Sequence, residues 1–223
     1  RTSMNNNLAT SQQIPAKSSP RDVFLYILAT ITLYVSAWSI INLFIHYVNG
    51  WFPDPLEYYY DPTGAVRWPL SLLVIIFPVY VWVSHFLAKD LVANGAKSEL
   101  RVRKWLLYLT LFLSALLIIG DLVALMYSFL EGDLTTRFLL KVLGVLLVGG
   151  GVFLYYLHDL KRGANPFSSR ATMFVYGGIG LVVLVAIYGF ATAGSPSRQR
   201  AVRFDSQRVS DLQSLQSQIV YYW

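Results

Sequence analysis

The sequence contains no cysteine and few charged residues. The absence of cysteine among its 223 residues excludes disulfide bonds, thiolate metal sites, iron–sulfur clusters and a cysteine nucleophile. Charged residues make up 13% of the chain, whereas a soluble domain carries roughly 25%. The hydrophobic fraction is 55% and the mean hydropathy is +0.49. This composition is typical of a protein whose lateral surface faces lipid.

The motifs of common hydrolase active sites are also absent. The chain contains neither G-x-S-x-G nor H-E-x-x-H. Its glycine cluster lies within an apolar segment rather than after a soluble strand, so it does not indicate a phosphate-binding loop. We expect no enzymatic activity and no bound cofactor. The glycines are instead predicted to let the fourth and fifth apolar helices approach closely. They are Gly144, Gly149, Gly150, Gly151, Gly177, Gly178 and Gly180.

Five apolar segments are long enough to cross a bilayer as helices, which requires roughly 20 residues each. The predicted spans are 23–48, 68–87, 104–130, 137–158 and 173–193. Residues 1–18 form a polar lead, in which the residues before Met4 are interpreted as a cloning remnant. Residues 195–223 form a basic amphipathic tail helix. The predicted fold class is all-α, with a membrane bundle of five transmembrane helices over residues 19–194.

The distribution of lysine and arginine predicts the orientation of these spans. Basic residues cluster before the first span and in the segments that join the second span to the third and the fourth to the fifth. The other two connections contain only Arg67 and Arg137. Because cytoplasmic loops are enriched in basic residues, we expect a cytoplasmic N-terminus and an external C-terminus. The four arginines of the tail favour the alternative, in which the fifth segment is re-entrant and the tail is cytoplasmic.

The first span carries polar side chains on one helical face. They are spaced by four, three, three and four residues and comprise Thr32, Ser36, Ser39, Asn42 and His46. Polar groups that face lipid would lack hydrogen-bond partners, so this face must contact other helices or a hydrated cavity. The pattern indicates either interhelical hydrogen bonding or the lining of an ion path.

Asp121 is the acidic residue that lies deep within a predicted span. An ionised carboxylate at that depth costs about 3 kcal/mol or more unless it is paired. Lys141 on the fourth span is the predicted partner, about one helical turn nearer to the external surface. The two residues are interpreted either as a structural ion pair or as a proton or cation site.

Acidic residues are predicted to line the external loops. They are Asp54, Glu57, Asp61, Glu131 and Asp133. In a homo-oligomer these side chains could form a ring that concentrates cations at a pore mouth. The alternative is that they form an ordinary solvated surface.

Two of the three histidines suggest a further interpretation. His85 and His158 are predicted at the cytoplasmic ends of the second and fourth spans, where two imidazoles could hold a b-type heme. The opposing interpretation is that these histidines are interfacial side chains at helix ends. No metal site is expected, because zinc sites need converging Cys, His or acidic ligands that the sequence does not supply.

The tail places its apolar side chains on one helical face. They are Val202, Val209, Leu212, Leu215, Ile219 and Trp223. This pattern is typical of a helix that docks on a protein partner or lies on the bilayer. The orientation of the spans accounts for the positive charge of the chain, so no nucleic-acid partner is expected.

Two resemblances to known families accompany these patterns. The segments SPRDVFLYILATITLYVSAWS, FPDPLEYYYDPTGAVRW and LRVRKWLLYLTLFLSALLIIGDL resemble an uncharacterised family of bacterial multi-pass membrane domains. This resemblance implies a membrane bundle in the bacterial inner membrane, without assigned site residues. The segment RFDSQRVSDLQSLQSQIVYYW resembles the helix after the membrane anchor in type IV pilin-like proteins, which implies an external tail. The prepilin cleavage signature is absent before the fifth span.

Three functional hypotheses follow from these observations. The first is an oligomeric channel or transporter-like protein whose cation path involves the first-span polar face, Asp121 and Lys141. The second is a non-catalytic membrane scaffold or accessory subunit whose tail recruits a protein partner. The third is a heme-bearing electron carrier.

Overall fold

The computed structural model describes residues 19–53, 62–93, 100–132, 134–162, 169–194 and 196–222. All regular structure in these ranges is helical. The six helices are α1 (Pro20–Trp51), α2 (Pro62–Ala93), α3 (Arg101–Glu131), α4 (Thr136–Arg162), α5 (Ser169–Ala193) and α6 (Pro196–Tyr222). The first five are long and apolar enough to cross a membrane. The predicted fold class is therefore confirmed.

Local sequence explains where several helices begin and end. α1 and α6 begin at Pro20 and Pro196, because proline lacks the N–H that a first helical residue leaves unpaired. α3 ends at Glu131 and is followed by Gly132, whose φ of 75° lies in the left-handed region that glycine adopts without strain. Gly194 has a φ of 73° and separates α5 from α6 in the same way. These glycines let the chain turn between consecutive helices.

The five apolar helices alternate in direction. Four polar contacts between helix ends fix this order: Arg21–Asp90 (3.8 Å), Arg103–Asp159 (3.1 Å), Arg137–Asn49 (3.1 Å) and Tyr47–Val185 (2.9 Å). We call the end of the bundle at which α1 begins the proximal end, and the opposite end the distal end. α5 therefore ends at the distal end, where the tail helix follows.

α1 is the central helix of the bundle, because it packs against each of α2, α3, α4 and α5. Its distal half contributes Leu43 and Tyr47 to a core with Leu70 and Leu73 of α2 and Val182 of α5. Large apolar side chains on the outer faces of all five helices are exposed. This pattern matches a bundle whose perimeter contacts lipid.

The glycines of α4 serve different contacts from those predicted. A Cβ atom on Gly144 would collide with the Phe44 ring of α1, and one on Gly149 would lie 3.1 Å from Leu117 of α3. In contrast, a Cβ atom on Gly177, Gly178 or Gly180 of α5 would meet no atom within 4 Å. The glycines of α4 therefore admit α1 and α3, and the prediction of a glycine-mediated α4–α5 contact is wrong.

Candidate functional site

The polar face of α1 lies inside the bundle. Thr32, Ser36 and Ser39 are buried, and Ser39 has no exposed surface. Each hydroxyl donates to a carbonyl oxygen of α1 itself, at 2.7 Å for Thr32, 2.7 Å for Ser36 and 2.8 Å for Ser39. Asn42 likewise donates to the Trp38 carbonyl at 2.9 Å. Because the three hydroxyl donors are satisfied within α1, those of Thr32, Ser36 and Ser39 need neither an interhelical partner nor water.

A second polar face runs along α3. Arg103, Thr110, Ser114 and Asp121 are separated by seven, four and seven residues, which places them within about 40° of one another around the helix. Thr110 is 1% exposed, and its hydroxyl forms a 2.9 Å hydrogen bond with the hydroxyl of Tyr34 on α1. Ser114 is also buried and donates to the Thr110 carbonyl at 2.8 Å. The polar face of α3 therefore contacts α1 near the middle of the bundle.

Asp121 lies on this face and is half-buried. Its Oδ2 atom is buried and has no hydrogen-bond partner among the described residues. The ion pairs found in the described ranges do not include Asp121. A buried polar atom without a partner is uncommon in folded proteins and calls for an explanation such as a proton or a bound ion.

Lys141 faces α1 instead of Asp121. Its charge lies within electrostatic reach of His46, and its neighbours on the same face of α4, Arg137 and Gly144, contact Asn49 and Phe44 of α1. The predicted Asp121–Lys141 ion pair is therefore not formed in the structure. Spacing along the chain gives the depth of a residue, whereas the rotation of α4 that decides its partner depends on packing.

The depth relation between these two charges follows from the packing of α3 on α4. Gly149 lies beside Leu117, and in an antiparallel pair this register places Asp121 opposite Val145. Lys141 is four residues from Val145, which is about one helical turn or 6 Å. The two charges are thus on adjacent helices at neighbouring depths, although they do not pair.

The proximal half of the bundle holds a partly open cavity of about 110 Å³, lined by both polar and apolar side chains. Four helices contribute its polar lining: Tyr26 and Thr30 of α1, Tyr80 and Ser84 of α2, Arg103 of α3, and Tyr156 and Asp159 of α4. The Tyr80 hydroxyl forms hydrogen bonds with Ser84 and Tyr156. Because these residues come from four helices, the cavity depends on the assembly of the whole proximal end.

An ion pair lies at this cavity. Arg103 Nη2 donates to Asp159 Oδ2 at 3.1 Å, and the two side chains are 9% and 20% exposed. Asp159 also lies within electrostatic reach of Tyr80 and Tyr156. Guanidinium, carboxylate and phenol groups therefore meet in one cavity between apolar helices.

Sequence reasoning did not identify this cavity. Arg103 belongs to the basic residues whose distribution predicts the orientation of the chain, and Tyr80 and Tyr156 lie within predicted spans. The signal that was available is the α3 spacing, which places Arg103 on the same face as Asp121. The proximity of Tyr80 to Tyr156 depends on how α2 and α4 sit in the bundle, and no local pattern reports it.

The remaining predicted residues are dispersed. His85 is exposed on α2, whereas the Nε2 atom of His158 is buried without a hydrogen-bond partner among the described residues. The heme hypothesis stays a prediction that an absorption spectrum tests. Within the described ranges, no group of three or more His, Asp or Glu side chains is arranged to hold a metal ion. Glu131 is exposed at the end of α3. The other predicted loop acids lie outside the described residues: Asp54, Glu57, Asp61 and Asp133.

The fold and these sites define an all-helical bundle with five candidate membrane spans. The chain belongs to a family described as a domain of unknown function (DUF5671), whose match covers residues 22–156, more than half of the chain. No curated protein and no solved structure matches the chain. The family match includes Asp121, Lys141 and most of the cavity lining, and ends just before Asp159. The resemblance of the tail to pilin-like proteins lies outside the matched residues and stays a prediction.

Proposed function

We propose that the protein is a membrane transport protein that moves a small cation, with Asp121 as the cation-binding carboxylate. The observation that carries the proposal is the buried Oδ2 atom of Asp121, which has no hydrogen-bond partner among the described residues. A charged carboxylate within a membrane span costs about 3 kcal/mol or more when it is unpaired. A proton or a metal cation bound at Asp121 removes that cost.

The neighbouring basic groups supply a means of release. Lys141 lies about one helical turn from the depth of Asp121, close to His46. A lysine side chain can extend over several ångströms, so a rotamer change brings its ammonium group toward the carboxylate. Lys141 then replaces the bound cation as the partner of Asp121. In this mechanism the two residues, which the sequence predicts either as a structural ion pair or as a proton or cation site, associate only when the cation leaves.

The polar face of α3 supplies the direction of the path. Thr110 and Ser114 lie between the proximal cavity and Asp121 on this face, and Tyr34 joins it from α1. A cation that enters at the cavity therefore reaches Asp121 along α3 rather than along the hydroxyls of Thr32, Ser36 and Ser39. The sequence predicts a path that involves the polar face of α1 with Asp121 and Lys141, whereas the proposed path runs between α1 and α3.

The test is cation flux into liposomes that contain the purified protein. Proton uptake is followed with a pH-sensitive dye, and Na⁺ and K⁺ uptake with the corresponding isotopes or electrodes. We expect Asp121→Asn to reduce the flux at least tenfold, because the amide cannot carry the compensating negative charge. Asp205→Asn is the matched control, since it makes the same chemical change on the exposed surface of α6.

The results separate the proposal from its rivals. Equal flux through the wild type and Asp121→Asn would reject Asp121 as the binding group. Flux that is no higher than in protein-free liposomes for all three cations would reject cation transport itself. The Asp205→Asn control guards against loss of flux through a general effect of removing one acid.

A second candidate function, a membrane scaffold or accessory subunit, is favoured by α6. Every described side chain from 200 to 221 is exposed, and among the described residues α6 contacts none of the other helices. Val209, Leu212 and Ile219 form part of an apolar face on this helix. If the scaffold role is correct, the wild type shows no cation flux above that of protein-free liposomes. Replacing Leu212 and Ile219 with serine then reduces the size of the native membrane complex and leaves the cation flux unchanged.

A further inference from the structure

We propose that α6 lies along the surface of the bilayer at the distal end of the bundle, with its apolar side among lipid acyl chains and its arginines among anionic headgroups. The proposal goes beyond cation transport, because it concerns a helix that, among the described residues, contacts none of the five candidate spans. It assigns a lipid surface, rather than a second protein, as the partner of α6.

The C-terminal half of α6 has one apolar side and one polar side. At about 100° per residue, Val209, Leu215 and Ile219 lie within about 60° of Leu212 around the helix. All four side chains are exposed. The opposite side carries the hydroxyl groups of Ser210, Ser214 and Ser217. A helix divided in this way lies in the interface between water and lipid, where its apolar side is buried and its polar side stays hydrated.

The position of α6 in the chain brings it to the membrane surface. α5 is a candidate span that ends at Ala193, and α6 begins at Pro196. The first residue of α6 therefore lies within about 11 Å of the last residue of α5, the reach of three extended steps of chain. Gly194 has a left-handed φ of 73°, which ends the helical path of α5 and lets α6 take another direction. The lipid surface is thus always within reach of α6.

The charge of α6 complements an anionic surface. Its four arginines and two aspartates give a net charge of +2, and all four arginines precede Val209, where the apolar stretch begins. Basic groups within about 10 Å of an anionic membrane are attracted to it. A helix that lies on the surface is itself about 10 Å across, so its arginines stay within this distance of the headgroups. They are Arg198, Arg200, Arg203 and Arg208.

The same side of α6 is poorly suited to a second copy of the helix. Asp205 and Arg208 lie within about 40° of the direction of Leu212 and form an exposed pair at 3.7 Å. They interrupt the apolar side, so its unbroken stripe extends only from Val209 to Ile219. This length is about three helical turns, whereas a coiled coil needs apolar positions over about three or four heptads. At the level of the headgroups, the charged pair keeps its contact with water.

The test is the environment of nitroxide labels on α6 in the full-length protein, reconstituted into vesicles of phosphatidylcholine mixed with the anionic lipid phosphatidylglycerol. Each variant carries one introduced cysteine, since the chain has none of its own. Oxygen concentrates among acyl chains and a charged nickel chelate stays in water, so the ratio of their collision rates reports burial in lipid. Leu212→Cys labels the apolar side and Ser210→Cys the opposite side. Ile219→Cys and Ser217→Cys repeat the comparison two turns further along.

The collision rates separate a lipid surface from the other environments of α6. We expect the ratio of oxygen to nickel collisions to be roughly tenfold higher at Leu212 and Ile219 than at Ser210 and Ser217, because hydrocarbon excludes the charged chelate. A uniform ratio at all four positions would place α6 in water and overturn the proposal. Low collision rates with both reagents at Leu212 would show that protein covers the apolar side. That result would also overturn the proposal and would favour the scaffold function.

A substitution at Arg200 tests the role of charge. Arg200→Gln removes one positive charge at an exposed position, so we expect the ratio of bound to free helix, read from the spectrum of the label at Leu212, to fall about fivefold, the factor that one basic residue near an anionic surface contributes. Arg200→Lys keeps the charge and is expected to leave this ratio unchanged. The loss in Arg200→Gln should vanish in vesicles of phosphatidylcholine alone. Equal ratios for the two variants in anionic vesicles would overturn the assignment of anionic lipid as the partner.

Discussion

The contact between Gly144 of α4 and Phe44 of α1 provides a quantitative test of the packing around the central helix. Replacing Gly144 with alanine adds a Cβ atom that collides with the Phe44 ring. Relief of the collision requires rotation of the ring or separation of α1 from α4. Overpacking of this kind costs about 1–3 kcal/mol.

Gly150→Ala is the matched control for this substitution. Gly150 lies on the same helix, and its added Cβ atom would meet no atom within 4 Å. Both substitutions change the intrinsic helix propensity by the same amount, up to about 1 kcal/mol in favour of alanine. The difference between the two variants therefore isolates the cost of the collision, and we expect Gly144→Ala to be less stable by about 1–3 kcal/mol.

The assay is thermal unfolding in detergent, followed by circular dichroism. For a chain of this length each kcal/mol corresponds to about 2–4 °C in Tm, so the two variants should differ by at least about 2 °C. Adding Phe44→Leu removes part of the ring and is expected to rescue Gly144→Ala without helping Gly150→Ala. Equal Tm values for the two alanine variants, or failure of the rescue, would refute the contact between α1 and α4.

Two further predictions concern the ion pairs and the topology of the chain. Arg103→Gln removes the positive charge that pairs with the Asp159 carboxylate in a largely buried site, and it should lower the free energy of unfolding by about 3 kcal/mol. Arg208→Gln breaks an exposed pair on α6 and should change the free energy of unfolding by less than about 1 kcal/mol. Similar losses for the two variants in chemical denaturation would contradict the burial of the first pair. Because the chain has no cysteine, single introduced cysteines report topology without background labelling. Ser210→Cys and Glu131→Cys should react with a membrane-impermeant maleimide from one side of a sealed vesicle, and Arg101→Cys from the other side. Labelling of all three variants from one side would exclude five spans.

The five-helix fold follows from the sequence because long apolar segments in lipid must pair their backbone groups internally as helices. The inward orientation of Ser36 and Ser39 follows for a similar reason, since their spacing puts them on one face. The partner of Lys141 could not be predicted from the sequence, because it depends on the rotation of α4 about its own axis. The contact between Gly144 and Phe44 sets this rotation. The burial of Arg103 could not be predicted, since a basic residue at the start of a span fits both a cytoplasmic loop and a buried cavity.

The same contacts indicate which helices must move if a cation is to travel along α3. Thr110 and Ser114 are buried and their hydroxyls donate to carbonyl oxygens of α3, so the route between the cavity and Asp121 is closed in this conformation. α1 packs far more extensively on α2 than on α3, and a hydrogen bond joins Tyr34 of α1 to Thr110 on this face of α3. A hydrogen bond between membrane helices contributes only about 0.6 kcal/mol on average. We therefore expect α1 and α3 to separate locally near Tyr34, where their contact is small, and this separation would expose the hydroxyls of Tyr34 and Thr110 to the incoming cation.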